Sequence, residues 1–146
     1  MTHVLVLNGP NLNLLGQREP GQYGQRGLDE ILEEMQGVAD ACGVSLSHVQ
    51  SNSEGALVDA VQAAGADGVD WIILNPAGYT HTSVALRDAL LAVEIPFIEV
   101  HLSAVSAREP FRQVSYFADI AEGVVSGFRG ESYLLALQAI LNRLDP

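Results

Sequence analysis

A parallel α/β sheet in the order 2-1-3-4-5, with helices on both faces, is predicted for this chain of 146 residues. Three observations predict it. Apolar runs at Val4 to Leu7, Val44 to Val49, Trp71 to Leu74, Phe97 to Val100 and Val124 to Phe128 read as five strands. Amphipathic helical patterns separate them, so each strand hands over to a crossover of the length that parallel neighbours require. Val4 to Leu7, Trp71 to Leu74 and Phe97 to Val100 are apolar nearly throughout instead of alternating, which is the signature of strands covered on both faces.

The elements follow in order. Val4 to Leu7 leads into Asn8-Gly9-Pro10-Asn11-Leu12-Asn13-Leu14-Leu15-Gly16-Gln17-Arg18-Glu19-Pro20-Gly21-Gln22-Tyr23-Gly24, whose glycines, prolines and amides predict a shaped loop. Leu28, Ile31, Leu32, Met35, Ala39 and Cys42 then form one helical stripe, with Asp29, Glu30, Glu33, Glu34 and Asp40 mostly opposite, so Cys42 is expected in the core. Ser51-x-x-Glu54 has the form of a capping box opening a helix through Leu57, Val61 and Ala64 that Gly65 ends. Thr82 or Ser83 caps the next helix, through Leu86, Leu90 and Val93 to a stop before Pro96. The last carries Leu134, Leu137, Ile140 and Leu141. Lone His3 and His48, inside strand patterns, are expected at the surface or a sheet edge. A single flavodoxin-like domain over 1–146 accounts for the whole pattern.

Composition excludes several classes. With 48% hydrophobic and 17% charged residues the chain is globular, not disordered. A net charge of -11 repels nucleic acid and anionic membranes, so neither partner is expected. No apolar run reaches the roughly 18 residues of a spanning helix, and Met1-Thr2-His3 enters a strand without a signal-peptide layout, so the expected location is cytoplasmic. All seven basic residues are arginine. A side-chain Schiff base and a P-loop lysine are therefore both impossible.

In open α/β sheets ligands bind beyond the carboxyl ends of the strands. Three such ends are rich in chemistry: Asn8 to Tyr23, then Asn75-Pro76-Ala77-Gly78-Tyr79-Thr80-His81-Thr82-Ser83, then Glu99-Val100-His101-Leu102-Ser103. Glu99 and His101 are two apart on an extended chain and share a face, so the carboxylate can hold the imidazole charged and oriented as a general acid. Taken alone, the pair also fits a purely structural hydrogen bond. Ser103 to Arg112 reads as a helix start with Arg108 and Arg112 four apart, suited to a carboxylate or hydroxylated anion, or equally to a solvated helix face. No set of residues has convincing zinc spacing, and no metal or cofactor is expected.

Taken together, NGPNLNLLGQREPGQYG, NPAGYTHTSVALRDA and EVHLSAVSAREPFR closely resemble the type II 3-dehydroquinate dehydratases over essentially the whole chain. The resemblance implies elimination of water from 3-dehydroquinate to give 3-dehydroshikimate, in the shikimate or quinate pathway, without Schiff base, metal or cofactor. It also implies trimers that pack into a homododecamer. The family's catalytic tyrosine matches Tyr23, the arginine of its lid Arg18, the asparagine holding a water near the enolate Asn11, and the general acid His101. Supporting residues match Asn75 and Glu99, while Leu102, Ser103, His81, Arg112 and Arg108 match those that hold the substrate's carboxylate and hydroxyls. Asp88 matches a residue that reaches the neighbouring subunit's site. The segment Gln25-Arg26-Gly27 departs from the usual hydroxyl cap before Leu28.

The chemistry asks for these residue types. A tyrosine titrates near 10, so only about one in a thousand is ionised at pH 7, and making it a base there requires roughly 4 kcal/mol of preferential phenolate stabilisation. Arg18, with Arg108, is the candidate source. A water on Asn11 would stabilise the enolate oxygen, and His101, charged beside Glu99 and aligned by Asn75, would protonate the leaving hydroxyl in an anti elimination. The alternative class is a flavodoxin-like binding or signalling module. A receiver domain would want acidic residues after strand one, an aspartate after strand three and a lysine after strand five, whereas the first two places hold Asn8 and Asn75 and the chain has no lysine.

Overall fold

The computed structural model describes residues 1–16 and 27–144, so Arg18 and Tyr23 lie outside the described residues. Five parallel strands, β1 (His3–Asn8), β2 (Ser45–Gln50), β3 (Trp71–Asn75), β4 (Phe97–His101) and β5 (Gly123–Ser126), form one sheet in the order β2-β1-β3-β4-β5. This is the predicted flavodoxin-like arrangement. Among the described residues four α-helices cross between and after them: α1 (Leu28–Ala41), α2 (Glu54–Asp67), α3 (Val84–Val93) and α4 (Glu131–Leu141).

The pleat sorts the core into two halves. Val4 and Val6 of β1 point to one face, with Ile73, Ile98 and Val100, and pack against α1 and α4 through Ile31, Met35, Tyr133, Leu137 and Ile140. Leu5 and Leu7 point to the other, with Ile72 and Leu74, and meet Leu57, Val61, Leu86 and Leu90 of α2 and α3. With both faces covered, Val4 to Leu7 of β1 and Trp71 to Leu74 of β3 have no polar side to show, which is why these stretches are apolar throughout. Register brings Asn8 level with Asn75, so the loops after β1 and β3 leave the sheet side by side. They touch closely there: a Cβ on Gly9 would lie 2.5 Å from the Pro76 carbonyl oxygen, so only glycine fits.

Several boundaries differ from those predicted. Ser53, not Ser51, caps α2 by accepting from Ala56 N at 3.2 Å, while Ser51 Oγ accepts from Ser53 N in the turn before it. Gly65 does not end α2; it lies inside, where a Cβ would meet Val93 at 3.1 Å, and the left-handed Gly68 (φ 74°) closes the helix. Of the two proposed caps of α3, Ser83 serves, accepting from Leu86 N at 3.0 Å. Cys42 is exposed, because the buried stripe of α1 ends at Ala39 and Cys42 is already the C-cap. The final strand stops at Ser126, where Gly127 (φ 96°) turns the chain and leaves Phe128 exposed. His48 is exposed on the edge strand β2, as expected, whereas His3 opens the interior strand β1 and is half-buried, its Nε2 2.8 Å from Ser47 Oγ.

Candidate active site

The carboxyl ends of β1, β3 and β4 surround one pocket. Asn11, His81, His101, Leu102, Ser103, Arg108 and Arg112 line it, joined by Pro10, Ala77, Gly78 and Val105. Seven residues chosen from sequence thus meet in one concavity. Glu99 stands directly behind His101, and Asn75 and Asp88 lie outside the lining.

Each side chain is placed by identifiable local structure. Asn11 adopts a left-handed conformation (φ 69°), which asparagine tolerates, and its N–H donates to Asn52 Oδ1 at 2.9 Å. Glu99 and His101 occupy one face of β4 and are 1% and 5% exposed. Nε2–H of His101 donates to Glu99 Oε2. Among the described residues Nδ1 makes no hydrogen bond, and it is the nitrogen left to serve the pocket. The backbone of Leu102 and Ser103 is fastened to the β5 side by Arg129 N–H to Leu102 O at 2.8 Å and Ser126 Oγ to Ser103 O at 3.0 Å. His81 Nδ1–H donates to Val114 O at 2.7 Å, leaving its Nε2 for a ligand.

The segment after β4 departs from expectation. It contains no α-helix but two 3₁₀ turns, Val105–Ala107 and Pro110–Gln113, because Pro110 interrupts the run. Arg108 and Arg112 therefore do not share a helix face. They converge instead around Glu109, whose Oε1 is 3.1 Å from Arg112 Nε and 3.8 Å from Arg108 Nε. The backbone N–H of Glu109 itself, then Arg112, holds that carboxyl below its ordinary range. His81 likewise belongs to a separate 3₁₀ turn, Ala77–His81, and not to the helix that bears Asp88. Asp88 is exposed on α3.

Asn75 does not align His101 by a direct bond. Its Oδ1 accepts from Ala77 N–H at 3.1 Å and its Nδ2 donates to Tyr133 OH at 2.9 Å. Tyr133 in turn donates to Asn8 Oδ1 at 2.5 Å, and Asn8 Nδ2 reaches His48 Nε2 at 3.1 Å. A backbone N–H at one end fixes every donor and acceptor along the chain, so His48 must accept through a neutral Nε2. Partial desolvation agrees by holding the His48 pKa below its ordinary value, against the opposing charge of Asp29. Burial pushes the Tyr133 hydroxyl well above the usual phenol range, so it stays a donor. Sequence reasoning missed Tyr133; its signal was a tyrosine on the buried stripe of a leucine-rich helix, where a phenol needs a partner. Tyr133→Phe should leave two buried amides unsatisfied and cost about 1–3 kcal/mol in urea unfolding.

Ser115 was also missed. Its Oγ lies 3.0 and 2.8 Å from the two carboxylate oxygens of Glu99, which are 16 residues away in sequence, beyond the reach of any local motif.

Comparison with known proteins agrees with this geometry. The family model described as "Dehydroquinase class II" matches residues 2–141. A 3-dehydroquinate dehydratase of Erwinia tasmaniensis is 61% identical, and one of Citrobacter koseri 59%, each over 98% of this chain and 95% of the relative. The crystal structure of a type II dehydroquinase from Butyrivibrio crossotus superposes with a TM-score of 0.93 at 39% identity, covering 97% of both chains. Sequence and fold agree, and the chain belongs to the class II dehydroquinase family.

Proposed function

We propose that the chain is a type II 3-dehydroquinate dehydratase, a hydro-lyase converting 3-dehydroquinate into 3-dehydroshikimate. The observation that carries this reading is the buried Glu99–His101 pair opening on a pocket that also holds Asn11, Arg108 and Arg112. An anionic, polyhydroxylated ring needs what surrounds it. Arg108 and Arg112 suit the carboxylate, with Glu109 as the internal counter-ion that a substrate carboxylate would displace. His81 and Ser103, with the backbone of Leu102, suit the hydroxyls.

The chemistry runs in two steps. Tyr23, kept ionised by Arg18, takes the proton beside the ketone, and a water held by Asn11 stabilises the enolate oxygen. His101 then gives its proton to the departing hydroxyl, and Glu99 compensates the imidazolium charge while it exists. Because Asp88 is exposed and outside this pocket's lining, its part would be played at the site of another copy, which fits the trimer-based dodecamer implied by the resemblance. The enzyme would work in the cytoplasm.

The decisive assay mixes protein with 3-dehydroquinate and follows the absorbance of the conjugated enone. Product should accumulate, and borohydride added with substrate should leave both activity and protein mass unchanged. No enone, or a reductively trapped adduct, would overturn the reading.

A further inference from the structure

We infer that Ser115 is a positioning residue for the proton donor: its hydroxyl proton holds the Glu99 carboxylate in the orientation that aims His101. The inference rests on the reading of His101 as general acid and extends it to a residue outside the pocket lining.

A proton inventory carries the argument. A serine hydroxyl has one proton to give and two lone pairs with which to accept. Both lone pairs of Ser115 Oγ are engaged, by Phe117 N–H at 3.1 Å and Ala118 N–H at 3.2 Å. The hydroxyl proton has one place left to go. Glu99 meets it with Oε2 at 2.8 Å and Oε1 at 3.0 Å. Among the described residues, Ser115 and His101 are the two side chains that hydrogen-bond this buried carboxylate. One is the group being aimed, so Ser115 is what fixes the aim.

The serine is itself rigidly held. Phe117, two residues on, is fully buried, and Tyr116 N–H donates to Thr80 O at 2.9 Å in the turn that carries His81. Two backbone donors prevent the hydroxyl from turning toward another acceptor. Without that proton the carboxylate could rotate about its terminal torsion, which is soft, and carry the imidazole with it. Loss of aim matters only when His101 delivers its proton, not when the substrate's carbon acid is deprotonated.

The test separates those two steps by measuring solvent exchange of the substrate's C2 hydrogen beside dehydration. Ser115→Ala should lower kcat for dehydration by about ten- to a hundredfold, the scale of a sub-ångström misplacement, with exchange at near wild-type rate. KM should stay within about twofold. Ser115→Thr, which keeps the hydroxyl, should restore dehydration, and Ser115→Cys, of similar volume but a weak donor, should fall between and remains informative if the alanine variant does not fold. Undiminished dehydration, or equal loss of exchange and dehydration across these variants, would overturn the inference. His101→Ala run in parallel keeps the two ideas apart: if it too loses nothing in dehydration, the assignment of the acid fails, whereas a defect in His101→Ala without one in the Ser115 variants removes Ser115 alone.

Discussion

His101→Ala should lose about a hundred- to ten-thousandfold in turnover, the range that a positioned general acid contributes, while substrate still binds. The C–O bond breaks only if the departing hydroxyl receives a proton, and His101 is the imidazole that the fold brings to the pocket with a carboxylate behind it. If, as proposed, the arginines make most of the ground-state contacts, KM should change little and the loss should appear in kcat. Equilibrium binding of a substrate analogue beside steady-state kinetics checks both halves. Near-normal turnover would remove His101 from the acid role.

Tyr23→Phe should abolish proton abstraction, because the ring remains and the titrating oxygen is gone. The expected loss in C2 exchange is again about a hundred- to ten-thousandfold, with no recovery at any pH. Arg18→Ala should lose most activity by a different route. If Arg18 is the cation that keeps the phenol ionised, as proposed, its removal should return the phenol toward its ordinary pKa near 10, and the rate should climb as pH rises and more phenolate forms. Raising pH thus distinguishes a missing base from a base in the wrong protonation state. Retained exchange at wild-type rate in Tyr23→Phe would mean that another group is the base.

What the sequence made legible was what is local in the chain. Buried parallel strands are apolar runs, so their positions could be read directly; the order of the sheet came from choosing the flavodoxin-like arrangement, and the described residues after β1, β3 and β4 meet at one edge. Boundaries failed where two residues offered the same chemistry. Ser51 stands three before Glu54 and matches the capping template, yet Ser53 is the serine whose hydroxyl reaches an orphan N–H. Gly65 read as the stop, yet it packs against Val93 of α3 inside the helix, and Gly68 is the glycine that turns left-handed. Cys42 continued a stripe on paper, but its helix had already ended. The pocket lining was legible because Asn11 and His81 each follow a strand within a few residues and His101 ends one. Ser115 and Tyr133 were not, since their partners lie 16 and 125 residues distant and only the folded chain brings them together.

The path from Ala77 through Asn75 and Tyr133 to Asn8 also dictates an order of events during synthesis. Strands β1 and β3 leave the ribosome well before α4, and they carry two polar amides into what will become the interior. Until residue 133 has emerged and α4 has docked, those amides have no phenol between them. In a chain shorter than that, only water can satisfy those amides, and exchanging that water for the phenol is part of the docking of α4.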